Sequence, residues 1–231
     1  MYRHFGKRAF DVVVGSLLAL VILPVLLVIA VGSAVVFRTW PIFVQPRVGR
    51  DGRTFALLKL RSMPRTAPVA LDKYTLHDVR IPAWGRLLRR THLDELPQLL
   101  LVPFGGMSLV GPRPEMPEIC DRYLPEVLEA RQSVRPGCTG LWQVSRALTG
   151  MIYEAPEYDL AYVANVGLRL DVWVLVKSVS AILLHRPIES LGDVPASLLP
   201  VASGSTAPLG AIDKEVEGPS ADSESLRTAD G

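Results

Sequence analysis

Residues 12–37, VVVGSLLALVILPVLLVIAVGSAVVF, form the stretch that decides the fold: 26 positions in succession without a charged side chain. A bilayer's hydrocarbon core needs about 20 apolar residues in helical form, so this run is long enough to enter a membrane. It exceeds the roughly 7–15 apolar residues of a secretory signal core, and the chain beyond it lacks secreted character. Pro24 lies near its middle, where it removes a backbone hydrogen bond and favours a kink. Basic residues stand on both sides, with Arg3, Lys7 and Arg8 before it and Arg38, Arg47, Arg50 and Arg53 after it. A spanning helix carries its positive charge mainly on one flank. Two basic flanks favour a re-entrant helix–break–helix that enters and leaves by one face. A single kinked span remains the rival topology.

Working outward, the chain next reads as a β-hairpin over 41–61. Pro41–Val44 and Thr54–Leu60 flank Arg50-Asp51-Gly52-Arg53, in which Asp-Gly is a strong turn signal. The surrounding cations suit anionic lipid headgroups, with Arg47, Arg50 and Arg53 read as membrane-facing. Residues 64–78 are weakly patterned and read as a mobile lid or connector. Trp84–Arg90 reads as a short basic helix presenting Arg89 and Arg90 to the acidic pair Asp94-Glu95.

That pair belongs to the stretch RRTHLDELPQLLLVPFGGMSLVGPRP, residues 89–114. Thr91 and Asp94 have the spacing of a capping box, which places Asp94 and Glu95 in the first turn of a helix. Backbone amides and the helix dipole would there keep a carboxylate ionised. Leu93, Leu96, Leu99 and Leu100 supply an apolar face, and Pro97 is tolerable only near a helix start. Arg113 is held between Pro112 and Pro114. A paired acid between fixed guanidinium groups suits phosphoryl chemistry, because arginines neutralise the oxygens that would repel an attacking carboxylate. By themselves such pairs are more often solvated helix caps.

Further on, 126–133 reads as a short polar helix and Arg135-Pro136-Gly137 as a tight loop whose glycine lets backbone approach a ligand. Residues 158–164 and 170–184 read as the last ordered helices. In the latter, Val172, Leu175, Val176, Val179, Ile182 and Leu183 share a face that either closes the core or lies on the membrane. From about Pro195 the composition turns to Ser, Ala, Gly, Pro and acidic residues, which bury too little surface to order. A net charge of +2 gives no argument for nucleic acid. Cys120 and Cys138 lack a CxxC partner and read as reduced thiols. His4, His77, His92 and His185 lack ligand spacing.

Seven ordered blocks carry a resemblance: KRAFD (7–11), QPRVGRDGRTF (45–55), KLRSM (59–63), LDELPQL (93–99), MSLVGPRPE (107–115), RPGCTGLWQV (135–144) and YDLAYV with LRLDVWVLVKS (158–178). With them the chain resembles the bacterial sugar transferases, the monotopic phosphoglycosyl transferases. The resemblance implies an α+β, mostly helical monotopic domain. Residues 1–40 are the re-entrant anchor with its small β-hairpin alongside, 41–186 the catalytic domain, and 187–231 a disordered tail. It implies transfer of a sugar phosphate from a UDP-sugar to polyprenyl phosphate with release of UMP, as the first membrane step of exopolysaccharide or glycan assembly. That places the chain at the inner membrane with its catalytic domain on the cytosolic face.

Carried over residue by residue, the resemblance makes Asp94 the nucleophile and Glu95 its partner, with Mg²⁺ held at the pair. Lys59, Arg61, Arg89, Arg113, Arg135, Gly137 and Gln143 become the phosphate- and substrate-binding set. Trp142 is read equally as a base-stacking group or as core. The expected form is the short one, without the multi-span N-terminal region of longer relatives; homo-oligomerisation is left open. Three departures stand out: Leu23-Pro24 where the family has Ser-Pro, Leu101 where it commonly has Asn, and Gly106 where it has Asp or Glu. A CDP-alcohol phosphatidyltransferase is excluded by the single apolar segment. A silent membrane scaffold descended from the enzyme is the alternative, and it predicts indifference to Asp94→Asn.

Overall fold

Lys7–Phe37 forms one uninterrupted helix, α1, in the computed structural model, which describes residues 2–67 and 80–201. The helix–break–helix expected at Leu23-Pro24 does not appear as an interruption, since Pro24 lies inside the helix. Proline deletes a single backbone bond, and without the serine partner no side chain competes for the freed carbonyl. The residues of α1 that are buried are Asp11, Gly15, Ala19, Leu26, Ile29 and Ser33. They recur every three, four or seven positions, so one stripe faces the protein along the whole helix. Near one end the Asp11 carboxylate accepts a hydrogen bond from the Leu109 backbone N–H at 3.1 Å. Near the other, the Trp84 indole N–H donates to Ser33 Oγ at 3.0 Å. At 1.5 Å per residue these fixings lie about 33 Å apart, so α1 runs along the flank of the folded body. The opposite face is bare, with Leu20, Val21 and Val28 each at least 70% exposed. Ser33→Ala, which orphans the half-buried Trp84 N–H, is expected to cost about 1 kcal/mol, read by thermal unfolding in detergent.

The first turn of α1 is pinned through a buried charge cluster. Lys7 Nζ bridges Asp11 at 3.1 Å and Asp171 at 3.0 Å. Asp171 is fully buried and also accepts from the hydroxyls of Tyr2 and Tyr162. Lys7 and Asp11 of the KRAFD block therefore fasten the anchor to the core, a role that needs a lysine within reach of two desolvated carboxylates.

Strands β1 (Ile42–Val48) and β2 (Thr54–Leu60) make the expected hairpin, with Ile42 opposite Leu60 and Val48 opposite Thr54. Its turn uses left-handed backbone at Asp51 (φ 56°) and Gly52 (φ 71°), as an Asp-Gly pair favours. Strand alternation sends Ile42 and Leu60 toward α1, where they pack with Leu26, Ile29 and Leu88. The other face carries Phe43, Gln45, Arg47, Leu57 and Lys59 inward.

Helix α2 (Ala83–Arg90) is followed by a nine-residue 3-10 helix, Leu93–Leu101. The expected capping box does not form. Thr91 ends α2, its hydroxyl donating to the carbonyls of Leu87 and Leu88, and His92 turns the chain through φ 57°. Pro97 lacks an N–H, and the leucines at 93 and 96 have the spacing of three that a 3-10 helix stacks on one face. Leu93, Leu96 and Leu100 face α1, while Leu99 and Leu101 pack on the main core.

The main core surrounds β3 (Ser108–Val110), buried at all three positions and paired in parallel with β4 (Gly137–Thr139). Neither segment reads as a strand in the sequence; three-residue strands are too short to show alternation. Helices α3 (Pro117–Cys120), α4 (Pro125–Gln132), α5 (Glu157–Ala164) and α6 (Leu168–Leu183) complete the body. On α6, Leu170 and Val174 face the core, while Val172, Val176, Val179, Ile182 and Leu183 are at least 45% exposed. Five of the six stripe residues thus point outward, while Leu175 packs on the core.

Ordered chain also continues past the boundary expected at 186. Ile188 pairs with Val144 and Arg146 through backbone bonds, and Ile188, Val194 and Leu199 are buried. Those three apolar side chains outweigh a polar composition that suggested disorder. The rest of the expected tail, and most of the connector read over 64–78, lie outside the described residues.

Candidate active site

Asp94 and Glu95 lie next to each other in sequence but in opposite electrostatic circumstances. Glu95 Oε1 accepts from Lys59 Nζ at 2.9 Å and from Arg113 at 3.0 Å, and its Oε2 lies 3.4 Å from the same guanidinium. Burial alone would raise its pKa, but Arg113 and Lys59 outweigh burial and hold the carboxyl well below the usual range. Asp94 is 7% exposed, and among the described residues its side chain accepts from Ser62 Oγ at 3.1 Å. Burial, and then the charge of Glu95, raise its pKa. The expectation that a helix terminus keeps Asp94 ionised is therefore corrected: the terminus is 3-10 with no side-chain cap, and desolvation dominates. Lys59 is pushed down by burial, and Arg113 is raised by Glu95.

Among the described residues, the result is one fixed ion-paired carboxylate beside one that makes no ion pair and feels Lys59 and Arg89 only from farther off. Asp94 opens into two adjoining cavities. One, of about 250 Å³, includes Phe43, Arg61, Ser62 and Met63 in its wall. The other, of about 440 Å³, includes His92, Glu95, Arg113, Trp142 and Tyr153. Arg47, Lys59, Arg89, Asp94 and Met116 line both, so the cations converge where the two lobes meet. Exposed His92 stands at the rim of the second lobe.

Of the residues expected from the sequence, Lys59, Arg61, Arg89, Asp94, Glu95 and Arg113 line this cleft. Arg61 is tied by Nε to the Trp40 carbonyl at 3.1 Å, which joins the cleft to the end of the anchor. Arg90, expected to face the acidic pair with Arg89, is exposed and lines neither lobe. Arg135 lines a different cavity. Gln143 buries its amide without a hydrogen-bond partner among the described residues and lines neither lobe. Trp142 is 3% exposed, a core residue whose surface also reaches the second lobe.

Gly137 does not offer its amide to a ligand, because that N–H donates to the Pro112 carbonyl at 2.8 Å. A Cβ there would stand 2.1 Å from the Gly111 nitrogen. The close approach serves chain on chain and seats the loop that carries Arg113. Arg131 fixes the same loop by donating to the Arg113 carbonyl at 2.8 Å while paired with buried Asp159 at 3.1 Å.

Three cleft residues escaped the sequence reading. Ser62 stood in the KLRSM block without a role. Arg47, read as membrane-facing, is 9% exposed and sits inside, donating to Gln45 and the Pro114 carbonyl, with Glu115 at 4.0 Å. Burial lowers its pKa to about 10. The signal was available in the strand period: Gln45 pairs with buried Leu57, and Arg47 comes two residues on, so both share the inward face. Glu115 is 7% exposed and accepts from Tyr123 at 3.2 Å.

Magnesium's fit can be tested on the donors. Among the described residues no three His, Cys, Asp or Glu side chains converge. Glu95 is occupied by two cations and does not fit as a ligand. Asp94 fits, since Mg²⁺ commonly takes one or two carboxylates and completes its shell with water and substrate phosphate. Neither thiol is a nucleophile, as burial raises both and takes Cys138 to about 12.

Comparisons with known proteins give the chain its relatives. The chain is 40% identical over 197 residues to the UDP-galactose-lipid carrier transferase of Erwinia amylovora, covering 78% of this chain and 41% of that protein. It is 38% identical over 183 residues to the UDP-glucose:undecaprenyl-phosphate glucose-1-phosphate transferase of Klebsiella pneumoniae, covering 75% and 39%. It is 34% identical over 198 residues to the exopolysaccharide production protein ExoY of Sinorhizobium fredii, covering 78% and 87%. The chain thus spans about two-fifths of the first two relatives and most of the third. The family model for bacterial sugar transferase matches residues 2–185, and the chain belongs to that family.

Proposed function

We propose that the protein transfers a sugar-1-phosphate from a UDP-sugar to a polyprenyl phosphate such as undecaprenyl phosphate, in two displacements through Asp94. One observation carries the reading: a buried carboxylate that, among the described residues, has no ion pair opens onto a junction walled by Arg47, Lys59 and Arg89, with Arg113 in one adjoining lobe. An Asp94 oxygen attacks the phosphorus that bears the sugar, the bond from that phosphorus to the UMP oxygen breaks, and UMP leaves. A polyprenyl phosphate oxygen then attacks the same phosphorus, and the bond to Asp94 breaks. Splitting one displacement into two lowers each barrier. A raised pKa makes the carboxylate more basic and so a better nucleophile once ionised.

Lys59, Arg89 and Arg113 hold the phosphate oxygens against the acid, Arg61 extends that grip toward the anchor, and Glu95 fixes Lys59 and Arg113 in place. Bound Mg²⁺, taken by Asp94 and the diphosphate oxygens, would supply charge neutralisation on the leaving UMP. The two lobes give nucleotide and lipid phosphate separate approaches to one phosphorus.

The anchor supports a monotopic placement, and the proposed UDP-sugar donor puts it on the cytosolic face of the cytoplasmic membrane. Both ends of α1 touch the body, so a perpendicular span would draw the body's flank into hydrocarbon. The family departures at Leu101 and Gly106 do not touch the acid pair. They meet each other instead, Gly106 N–H donating to the Leu101 carbonyl at 3.1 Å, and neither lines the cleft. That favours an active enzyme over a silent scaffold.

The test is UMP release by the purified chain in nanodiscs with Mg²⁺, undecaprenyl phosphate and UDP-glucose or UDP-galactose. Turnover with at least one donor supports the reading, and none across a broad UDP-sugar panel with folded protein overturns it. The rate is expected to fall on the acid side, as Asp94 protonates, with a midpoint above the ordinary aspartate value of about 3.9.

A further inference from the structure

A second cationic cavity, of about 610 Å³, lies at the foot of the anchor helix and shares no lining residue with the cleft. Its wall includes Arg3, Arg8, Arg50 and Arg135. The Arg8 guanidinium is fixed by donating to the carbonyls of Val102 at 2.7 Å and Pro103 at 2.6 Å. Arg135 Nε donates to the Gly105 carbonyl at 3.1 Å, on the same loop. The two guanidinium groups meet over Gly105, where a Cβ would stand 3.3 Å from Arg8 and 3.9 Å from Arg135. Among the described residues neither has a carboxylate within ion-pair distance, and each keeps further N–H donors beyond its carbonyl bonds.

Holding two arginines together on neutral carbonyls is unfavourable unless an anion completes the set. Burial, then Arg8 and Arg50, lower the pKa of Arg135, outweighing Asp11 and Asp51, which act from beyond ion-pair distance. The lower wall of the cavity carries Asp11, but Lys7 already pairs with it.

The mouth adjoins apolar surface. Phe5, which lines the cavity, is 80% exposed, and Phe104, on the loop Arg8 holds, is 88% exposed. The bare face of α1 begins beside them, with Val13 and Leu17 about 60% exposed. Exposed aromatics at the end of an apolar helix mark the depth at which lipid headgroups lie. A phosphate reaching this cavity from that side arrives attached to acyl chains.

We propose that the Arg8–Arg135 cavity binds the phosphate of an anionic membrane lipid, as a structural site separate from the cleft that holds Asp94. The fork geometry of two arginines suits a phosphodiester's paired oxygens. Occupancy ties the Val102–Gly106 loop, β4 and the foot of α1 to the bilayer surface.

The test is a thermal-shift titration of the full chain in neutral detergent with short-chain phosphatidylglycerol, short-chain phosphatidylcholine or inorganic phosphate. Phosphatidylglycerol alone is expected to raise Tm saturably. Arg135→Gln is expected to weaken its apparent affinity about tenfold or more, the loss of a charge-assisted contact. Arg50→Gln, on the exposed turn and safe for folding, is expected to weaken it by a smaller factor, and Asp94→Asn to leave it unchanged. An equal shift with phosphatidylcholine would remove the anion, and an equal shift with inorganic phosphate would remove the lipid. A phosphatidylglycerol shift untouched in folded Arg135→Gln and Arg50→Gln, or lost in Asp94→Asn, would place the headgroup elsewhere.

Discussion

Asp94→Asn is expected to abolish sugar-phosphate transfer, by at least about 10³-fold in kcat, while making the protein more stable. Both effects come from one feature. Asp94 is buried beside Glu95, and its ionised form is disfavoured by desolvation and by that neighbouring charge. Asparagine removes the charge, keeps the volume, and still offers an oxygen to Ser62 Oγ. The gain should be on the order of 1 kcal/mol, the usual scale when a strained catalytic group is neutralised. Its pH dependence follows from the raised pKa. The wild-type penalty exists only while Asp94 is charged, so the advantage of the variant is full above the raised pKa. It shrinks as pH falls below that value and is gone below the ordinary aspartate value of about 3.9. Unfolding curves of both proteins across pH, with UMP release alongside, check this. A variant that loses activity and stability together would mean that Asp94 holds the fold rather than the chemistry.

Glu95→Gln should do the opposite to stability. Glu95 joins Lys59 and Arg113, and removing its charge leaves two partly buried cations facing each other near Arg47. Breaking a desolvated ion-pair set by deleting one member costs about 3 kcal/mol. Side chains here are 17–27% exposed, so solvent screens part of that cost and about 2 kcal/mol is the working expectation. The folded pKa of Glu95 is depressed, so its contribution is present above the ordinary glutamate value. It is lost only as pH falls through the lower folded value, and the variant should show no such acid limb. Activity should fall about 10²-fold, because Lys59 and Arg113 lose the group that positions them on phosphate. Glu95→Asp, which keeps the charge on a shorter stem, should recover more stability than activity.

The sequence displayed the fold unevenly, for identifiable physical reasons. The apolar run, the hairpin with its Asp-Gly turn and the short helices were legible because each is local and periodic. The β3–β4 pair was not, since strands of three residues separated by 26 intervening positions carry no local signal. The Leu93–Leu101 segment showed its apolar face but not its type. Leucines at 93, 96, 99 and 100 suit either helix, and Pro97 tips the balance. Within the site, the acid pair and its cations were readable as a block, yet the split between the two acids was not. That division depends on Lys59 and Arg113 both choosing Glu95, a fact of packing across β2 and the Arg113 loop. Arg47 was misplaced because its charge was weighed before its strand register. Arg135 was grouped with the cleft by its motif, although the chain places its side chain at the foot of the anchor.

The most direct test of the central claim is to incubate the chain in nanodiscs with a UDP-sugar and Mg²⁺ but no polyprenyl phosphate, and to weigh the intact protein and its peptides. Release of about one UMP per active chain is expected, with a sugar-phosphate mass on the peptide containing Asp94. Chasing with undecaprenyl phosphate should clear that mass. UMP release that strictly requires the lipid acceptor, with no adduct on Asp94 in protein that turns over normally, would contradict it and favour direct transfer within a ternary complex.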